Sequence, residues 1–464
     1  ATYNTGSGLV ADVFADGVYN VDQRSNASWT FGAANGFSVT AGNLAVGLSG
    51  EGVLVTAAAP GNAPRLIQNG AAAGTHIAGS GTTAAPFANR QLSGLQFIGT
   101  HSLGINTGDI GLFSIANGPW TSTSTWSTGA VPTALDNPLI SAGNTVTVSA
   151  ASTALTVTVS GTLSVTGGTL TVPGSAAGGI QVNVGGALNV AGGTVNLQDG
   201  INNNRRLTSA GALNVSSGNL NIDGNFQITA SGSFAQTGGT ITIDGNGVTS
   251  SALQDLARFE NASASFNVTG GNLNFVDPPA TALNTIFYAS TAGDAVWAPA
   301  HTTTFGNGVS TAAGSTNGFR IDHWNGSGFL HMGSLVVNGA SGTNRFLTHA
   351  WTNLPFTGNV TVNAGSEARF SALHVGGNLV NNGLLTTTTS LNFTNYRQNA
   401  GITAVTTAQS VGGSGTFQNL LAAPTAMAAA MRLQNSSVSG ITFNIPFTQR
   451  GTLELWQGRV NTTA

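Results

Sequence analysis

The chain has 464 residues, a formal net charge of −3 and no cysteine, and charged residues make up only 6% of it, against about 25% in an average soluble protein. The 13 basic residues are all arginine and are scattered, so we expect neither a nucleic-acid partner nor electrostatic binding to an anionic membrane. A hydrophobic fraction of 41% argues against disorder. No apolar run is long enough to predict a membrane-spanning helix, and disulfides and thiolate metal sites are excluded.

Residues 1–118 are rich in phenylalanine and show no clear repeat, but segments 37–40 and 44–48 alternate as strands do. We expect an N-terminal β cap or a separate β domain here. The chain begins at Ala1 without an initiator methionine, which fits an exported protein after signal removal or a segment of a longer chain.

Residues 119–280 contain an internal repeat: a glycine turn, then two apolar residues that alternate with Thr or Asn, then usually Asp-Gly. Its copies begin at Gly167, Gly192, Ser217, Gly238 and Gly270. The first apolar residues of the copies, spaced by 25, 25, 21 and 32 residues, are Leu170, Val195, Leu220, Ile241 and Leu273.

This alternation has a period of two, which places the apolar residues on one face and the Thr and Asn residues on the other. A single unit cannot bury its apolar face, so the units must stack. We therefore predict an all-β fold, a right-handed parallel β-helix or β-solenoid, in which the five apolar residues point inward. A β-sandwich is the alternative.

Two further segments complete the predicted organisation. Residues 281–354 lack the repeat and predict an irregular insertion, and they hold four of the seven histidines: His301, His323, His331 and His349. The pattern resumes over 355–464, which predicts further solenoid coils ending within a repeat. The Ala-rich stretch 422–433 predicts either a short surface helix or a loop.

Two groups of passages resemble known proteins. The segment from Trp120 to Trp126, continued through 131–137 and 142–148, is similar to the tryptophan-rich stretch that precedes the coils of secreted bacterial β-helix proteins. Segments 377–386, 415–420 and 451–462 resemble the large repetitive surface proteins of Bacteroidetes-type bacteria. The resemblance covers about 120–280 and 355–464. It implies an extracellular or cell-surface protein and no particular activity.

The sequence offers no catalytic, cofactor-binding or metal-binding site residues, so we expect no enzyme and no cofactor. Glycan-cleaving enzymes need clustered carboxylates, whereas the acidic residues here are isolated, among them Asp109, Asp136, Asp199, Asp223, Asp244, Asp277, Asp322, Glu367 and Glu454. A carbohydrate-active β-helix enzyme remains an alternative.

Three residue patterns suggest chemistry but have simpler explanations. The histidines lack metal-ligand spacing and are expected in polar loops. The Asp-Gly positions predict tight turns, and calcium binding by a stacked file of carboxylates remains an alternative. Thr-x-Thr pairs such as Thr169/Thr171 would suit ice binding, but Asn219/Asn221 and Asn272/Asn274 interrupt the array.

The functional hypothesis is a structural one. The segment from Gly451 stops within a repeat unit, and an uncapped coil exposes unpaired backbone groups that favour strand addition by another copy. We expect an extracellular filament or sheath subunit that associates with copies of itself. The alternative is a monomeric stalk adhesin that binds surface glycans, which would show an aromatic-lined groove.

Overall fold

The computed structural model describes most of the chain, and every structural statement below concerns these residues. They form two compact units, one comprising Ala1–Phe113 with Trp126–Ala130 and the other comprising Ser114–Thr125 with Val131–Ala464. The described residues are 1–5, 9–16, 19–33, 41–47, 65–68, 74–80, 87–105, 112–173, 179–197, 205–244, 255–260, 265–277, 284–289, 294–308, 318–323, 329–339, 346–349, 353–397, 401–418, 430–445 and 452–463.

The first unit is built from antiparallel strands, numbered in chain order. A six-stranded sheet has the order β1-β4-β9-β3-β2 with β6 on β9, and a three-stranded sheet has the order β5-β8-β7. The strands are β1 (Thr2–Asn4), β2 (Leu9–Asp16), β3 (Tyr19–Ser25), β4 (Ser28–Phe31), β5 (Ala41–Gly47), β6 (Arg65–Gln68), β7 (Thr75–Ser80), β8 (Phe87–Ser93) and β9 (Gly99–Ile105). A 3-10 turn at Gly94–Phe97 joins β8 to β9.

The second unit is a parallel β-solenoid. Its chain visits three stacks of strands in a fixed cycle, and each strand pairs in parallel with the equivalent strand of the next rung. We call these stacks columns 1, 2 and 3. A 3-10 turn at Thr123–Thr125 lies between the first two strands of the unit.

Column 1 contains β10 (Gly118–Pro119), β12 (Thr145–Val148), β15 (Thr162–Val165), the first parts of β18 (Ala187–Leu197) and β20 (Ala212–Ile228), β21 (Ser233–Gln236), β24 (Phe266–Val268), β27 (Ala295–Val296), β30 (Leu330–His331), β33 (Asn353–Phe356), the second parts of β35 (Glu367–Val375) and β37 (Leu384–Phe393), β42 (Ala430–Gln434) and β44 (Leu453–Gln457).

Column 2 contains β13 (Ser152–Thr153), β16 (Thr169–Thr171), the later part of β18, the middle of β20, β22 (Thr240–Asp244), β25 (Asn272–Phe275), β28 (Thr302–Phe305), β31 (Ser334–Val337), β34 (Val360–Val362), β36 (Leu379–Asn381), β40 (Gln409–Gly412), β43 (Ile441–Phe443) and β45 (Val460–Thr462).

Column 3 contains β11 (Leu139–Ile140), β14 (Val157–Val159), β17 (Ile180–Val182), β19 (Arg205–Ser209), the end of β20, β23 (Asp255–Phe259), β26 (Asn284–Tyr288), β29 (Phe319–His323), β32 (Phe346–His349), the first parts of β35 and β37, and β41 (Thr416–Gln418). Two further strands, β38 (Asn395–Arg397) and β39 (Gly401–Thr403), form a separate hairpin.

The interior of the solenoid consists of apolar side chains stacked from rung to rung. The five residues predicted to point inward, Leu170, Val195, Leu220, Ile241 and Leu273, are all fully buried and follow one another in register in column 2. The prediction of stacked parallel strands is confirmed. Each rung closes its apolar face only against its neighbours, as the alternating pattern requires.

Residues 281–354 differ from the sequence-based prediction of an irregular insertion. Strands β26 to β32 lie in this segment and continue all three columns in register with the flanking rungs. The repeat escaped detection because larger or polar residues occupy its inward positions, including Tyr288, Thr303 and Phe305. Phe305 stacks on Phe275 of the preceding rung with ring centroids 5.2 Å apart.

The described residues contain no α-helix. The suggested helix over 422–433 is contradicted at its end, because Ala430–Gln434 forms β42 and Met431 is buried there; the rest of that stretch lies outside the described residues. Nothing in the described part of the chain is a helix with the length and apolar character to cross a membrane.

Candidate functional site

A groove with a volume of about 540 Å³ lies beside column 1 of the solenoid. One side is made by rungs of column 1 and the turns that follow them, and the other by a segment that comes after β37. The lining residues are 266–269, 296–299, Thr357, Gly376, Asn395, Thr403 and 405–407.

The groove offers a mixed but uncharged surface. Its polar groups are the hydroxyls of several threonines and the amides of Asn267 and Asn395, and its apolar groups include Val296 and Pro299. Val296 points outward from β27 and is 39% exposed. A groove of this volume falls within the usual range for small-ligand sites, and its lining suits a neutral ligand rich in hydroxyl groups.

Hydrogen bonds across three rungs fix the floor of the groove. The Thr357 hydroxyl donates to the carbonyl of Trp297, at 2.7 Å, which lies two rungs away. The backbone N–H of Trp297 donates to the backbone carbonyl of His331 in the intervening rung, at 2.8 Å. These bonds tie the floor of the groove to three rungs of the solenoid.

The β38–β39 hairpin forms one wall of the groove. Asn395 pairs with Thr403 across the hairpin, and both residues line the groove. Among the described strands, β38 and β39 pair only with each other. The segment rejoins the solenoid at Val405, whose N–H donates to the Gln434 carbonyl at 2.9 Å.

Beneath this hairpin lies a cluster of buried histidines. The Tyr396 ring of β38 packs against His374 with ring centroids 4.5 Å apart, and against His331 and Phe329 at 6.4 and 6.1 Å. His331 and His374 are 1% and 3% exposed, although both lie on the outer face of column 1. Burial and the nearby Asp294 carboxylate raise the pKa of Tyr396.

His374 is held in place through both ring nitrogens. Its Nδ1 lies 3.0 Å from the Thr394 hydroxyl and its Nε2 lies 3.0 Å from Oδ1 of Asn353. The neutral ring with hydrogen on Nε2 satisfies both contacts, because the amide oxygen only accepts. Burial, aided by Arg432 and His331, lowers the pKa of His374 to about 3.

His331 is paired with a carboxylate. Its Nε2 lies 3.2 Å from Oδ2 of Asp294, whose other oxygen accepts the N–H of Phe329 at 2.9 Å. Asp294 is 12% exposed at its side chain. Asp294, His331, Asn353, His374 and Tyr396 thus form one contiguous polar cluster on the outer face of column 1.

A third buried histidine lies inside the solenoid. His301 is fully buried, contacts the Trp297 ring at 4.8 Å, and places Nε2 3.1 Å from Oε1 of Gln236. Burial lowers the pKa of His301 to about 4, so the ring is neutral near pH 7. This contact spans two rungs and has a structural role.

The N-terminal unit holds a separate buried charge network. Arg90, 2% exposed, donates to both carboxylate oxygens of Asp16 at 2.7 and 2.8 Å, and Arg65 lies 3.1 Å from the same carboxylate. The hydrogen bond and charge of Arg90, with help from Arg65, hold the pKa of Asp16 below its usual value despite burial. The geometry is that of a structural ion pair.

The prediction that the histidines lie in polar loops is wrong for those whose side chains are described. His301 and His331 are buried, and His374, which fell within a recognised repeat, is buried as well. His323 and His349 lie on β29 and β32, with side chains outside the description. No local signal marked the cluster, because its members are brought together by rungs and a hairpin far apart in sequence.

The described residues contain no group of three or more His, Asp or Glu side chains that is suited to a metal ion. Of the Asp-Gly positions considered for calcium, Asp223 and Asp244 are neighbours in register on column 2. Asp277 is buried and lies out of that file, and Asp199 falls outside the described residues.

The fold and the groove define the class of the molecule as a parallel β-solenoid protein with an uncharged groove along one column. No protein-family model, curated protein or solved structure gives a significant match to the chain.

Proposed function

We propose that this protein is an extracellular or cell-surface solenoid that binds a neutral glycan in the column 1 groove and thereby acts in adhesion. The observation that carries the proposal is the groove itself: a cleft lined by Thr and Asn groups, with Val296 and Pro299 for apolar contact and with no charged side chain among its described lining residues. Sugars present this combination of hydroxyl groups and apolar C–H faces.

The location proposed for the protein rests on composition and resemblance. Charged residues are scarce and lysine is absent, and the repeats resemble those of exported bacterial surface proteins. A long solenoid is also suited to display a binding surface, because stacked rungs create extended faces.

We propose a binding role and no catalysis. Hydrolysis of a glycosidic bond generally requires two carboxyl groups that flank the bond, and the described groove lining contains none. The nearest carboxylate discussed above, Asp294, is engaged by His331 and by the N–H of Phe329.

A glycan array tests the binding proposal. We expect the wild-type chain to retain neutral oligosaccharides and Val296→Arg to lose them, because a long charged side chain at this exposed position fills the groove. Val184→Arg is the matched control, since Val184 is 72% exposed elsewhere on the solenoid. Equal binding by both variants, or no retention of any glycan by the wild type, would contradict the proposal.

Self-association is a second candidate function, supported by a different observation. The outermost described rung, β44 and β45, exposes Leu453, Leu455 and Val460, which are 50%, 63% and 43% accessible. Apolar residues exposed together mark association surfaces, and a strand edge can template further pairing.

Sedimentation velocity tests self-association over a wide range of protein concentration. Assembly through this rung predicts oligomers that grow with concentration and are lost in Leu455→Arg, but persist in the control Val438→Arg, a change at a residue that is 89% exposed. A wild-type chain that stays monomeric throughout would exclude assembly by this surface.

A further inference from the structure

Outward-facing residues of successive rungs follow one another in register along column 1, and we call this row the file. One half of the file is open to solvent in the groove, and the other half is covered. Asn267 and Val296 belong to adjacent rungs and line the groove. Val296 pairs in turn with His331 of the next rung, and His374 lies two rungs further along. The file therefore passes without interruption from the open groove to the buried histidines.

The covering element is the β38–β39 hairpin, which contacts this half of the file chiefly through Tyr396. The tyrosine ring lies 4.5 Å from the ring of His374 and 6.4 Å from that of His331, and its hydroxyl accepts a hydrogen bond of 3.4 Å from Asn353. This one aromatic ring shields two histidines that stand on an outer strand face.

The attachment of the hairpin is weak compared with that of a solenoid strand. The described residues of β38 and β39 make no backbone ladder with the columns. A single bridge joins Val405 to Asn435, and regular pairing resumes at β40. Displacing the hairpin breaks side-chain contacts but leaves every rung of the solenoid intact. Segments with few ladder bonds open at low free energy relative to global unfolding.

We propose that the β38–β39 hairpin is a displaceable cover and that the surface beneath it, formed by Asp294, His331, Asn353 and His374, is a second and occluded half of the groove. The ligand class rests on the proposed function: this half would take a further sugar ring of the same neutral glycan, in the place that Tyr396 now fills.

The covered surface has the chemistry for such a ring. The Asp294 carboxylate and the Asn353 amide oxygen accept hydrogen bonds from hydroxyl groups, and the imidazoles of His331 and His374 supply further polar contacts. Phe329 and the face of His374, which now pack against the Tyr396 ring, offer flat surfaces for the C–H face of a sugar.

Protonation couples this cover to pH. Under the hairpin, burial keeps the pKa of His374 at about 3, whereas an exposed histidine titrates near 6.5. Below about pH 6.5, the open form therefore binds more protons than the closed form does. The closed form becomes less favoured as pH falls from about 6.5 toward 3. The shift in the open–closed ratio reaches about thirty-fold between pH 8 and pH 5.

Other charged groups surround His374 and bear on this coupling. Arg432 lies on the C-terminal side of His374 along column 1, and His331 lies on the N-terminal side. Both disfavour protonation of His374 in the closed form. Asp294 lies beside His331, and Glu454 forms an ion pair with Arg432 at 2.7 Å. Tyr396, neutral near pH 7, covers the ring. His374→Gln isolates the contribution of this one histidine while keeping an amide for hydrogen bonding.

Hydrogen–deuterium exchange tests the cover without a ligand. After correction for intrinsic exchange rates, we expect the amides of 395–397 and 401–403 in the full chain to exchange faster at pH 5 than at pH 8, by up to about thirty-fold. In His374→Gln the acceleration should shrink to a few-fold. A hairpin whose corrected exchange is as slow as that of β35, or is the same at both pH values, overturns the cover.

A binding measurement tests the occluded half with the neutral oligosaccharide that the array identifies. We expect Tyr396→Ala to bind it about ten-fold more tightly than the wild type, because the cover no longer competes, and Tyr396→Phe to behave as the wild type. If Tyr396→Ala binds the oligosaccharide no more tightly than the wild type does, the occluded half is overturned but the proposed function is not. Absence of glycan binding by all three proteins overturns the proposed function and the ligand class together, whatever the exchange experiment gives.

Discussion

At the scale of single residues, a buried threonine interrupts one apolar file of the solenoid interior. Thr303 follows Leu273 and precedes Leu335 in the inward register of column 2, and it is fully buried. Its hydroxyl finds no hydrogen-bond partner among the described residues. A buried polar group left unpaired costs about 1–3 kcal/mol of stability.

We therefore expect Thr303→Val to stabilise the protein by about 1 kcal/mol, because the variant keeps the branched shape and removes the hydroxyl. Urea unfolding followed by circular dichroism measures the change. Thr304→Val is the control: that side chain lies on the outer face and is partly exposed, so the variant should change little. A destabilised Thr303→Val would show that the hydroxyl is satisfied.

The buried histidines make stability depend on pH. His301 titrates at about 4 in the folded protein and near 6.5 when unfolded. The unfolded state thus binds the proton first as pH falls, and the free energy of unfolding decreases between about pH 6.5 and pH 4.

For His301 alone, this loss amounts to roughly 2–3 kcal/mol between pH 7.5 and pH 4.5. Unfolding of the wild type and of His301→Gln at the two pH values measures it. We expect a shallower pH dependence in the variant, with the remainder due to His374 and other groups. Identical slopes for the two proteins would contradict a neutral, buried His301.

At the scale of elements, glycines set how closely successive rungs approach at their turns. Gly271 has φ of 82°, and a Cβ there would lie 2.4 Å from the carbonyl oxygen of Gly238 in the preceding rung. Gly143 has a similar φ of 83°, but a Cβ would meet nothing within 4 Å. The two positions separate the effect of backbone conformation from that of rung contact.

We expect Gly143→Ala to lower the free energy of unfolding only by the cost of the left-handed conformation, about 1–2 kcal/mol. Gly271→Ala should lower the free energy of unfolding by at least about 1 kcal/mol more, because a backbone atom blocks the new methyl group and the rungs must separate. Thermal unfolding of both variants measures the difference. Equal losses would mean that the turn relaxes without disturbing rung contact.

The elements also show what a sequence can reveal of such a fold. Leu170, Val195 and Leu220 stand in self-similar units, and their alternation alone predicted inward stacking. The rungs of 284–337 kept the alternation but not the unit, since polar Thr303 stands where the recognised copies have Leu, Val or Ile. These rungs still form because their strands pair with the neighbouring rungs, and a sequence does not display such pairing.

The groove lay beyond prediction for a different reason. Its two sides come from Val296 and Asn395, about a hundred residues apart, and the wall is a hairpin that occurs once and matches no repeat. A site of this kind depends on which rung a single loop folds over. Local spacing carries no information on that contact, and the same holds for the histidine cluster under Tyr396.

At the scale of the whole molecule, a repetitive solenoid supports a non-repetitive groove and its covering hairpin. Column 2 presents Thr and Asn on its outer face over several successive rungs, including Thr240, Asn272 and Thr302 in register. Column 1 begins in the same way but acquires a groove and a cover where the hairpin crosses it. We assign binding to column 1 because the described residues there form a groove of about 540 Å³ with an uncharged lining.

The most direct test is the footprint of the bound glycan, measured by hydrogen–deuterium exchange of the full chain with and without saturating ligand. We predict slower exchange at 266–269, 295–299 and 405–407, and no change at 240–244 or 302–305 of column 2. Protection that appears on the column 2 face, or binding without any change along the groove, would contradict the assignment of binding to column 1.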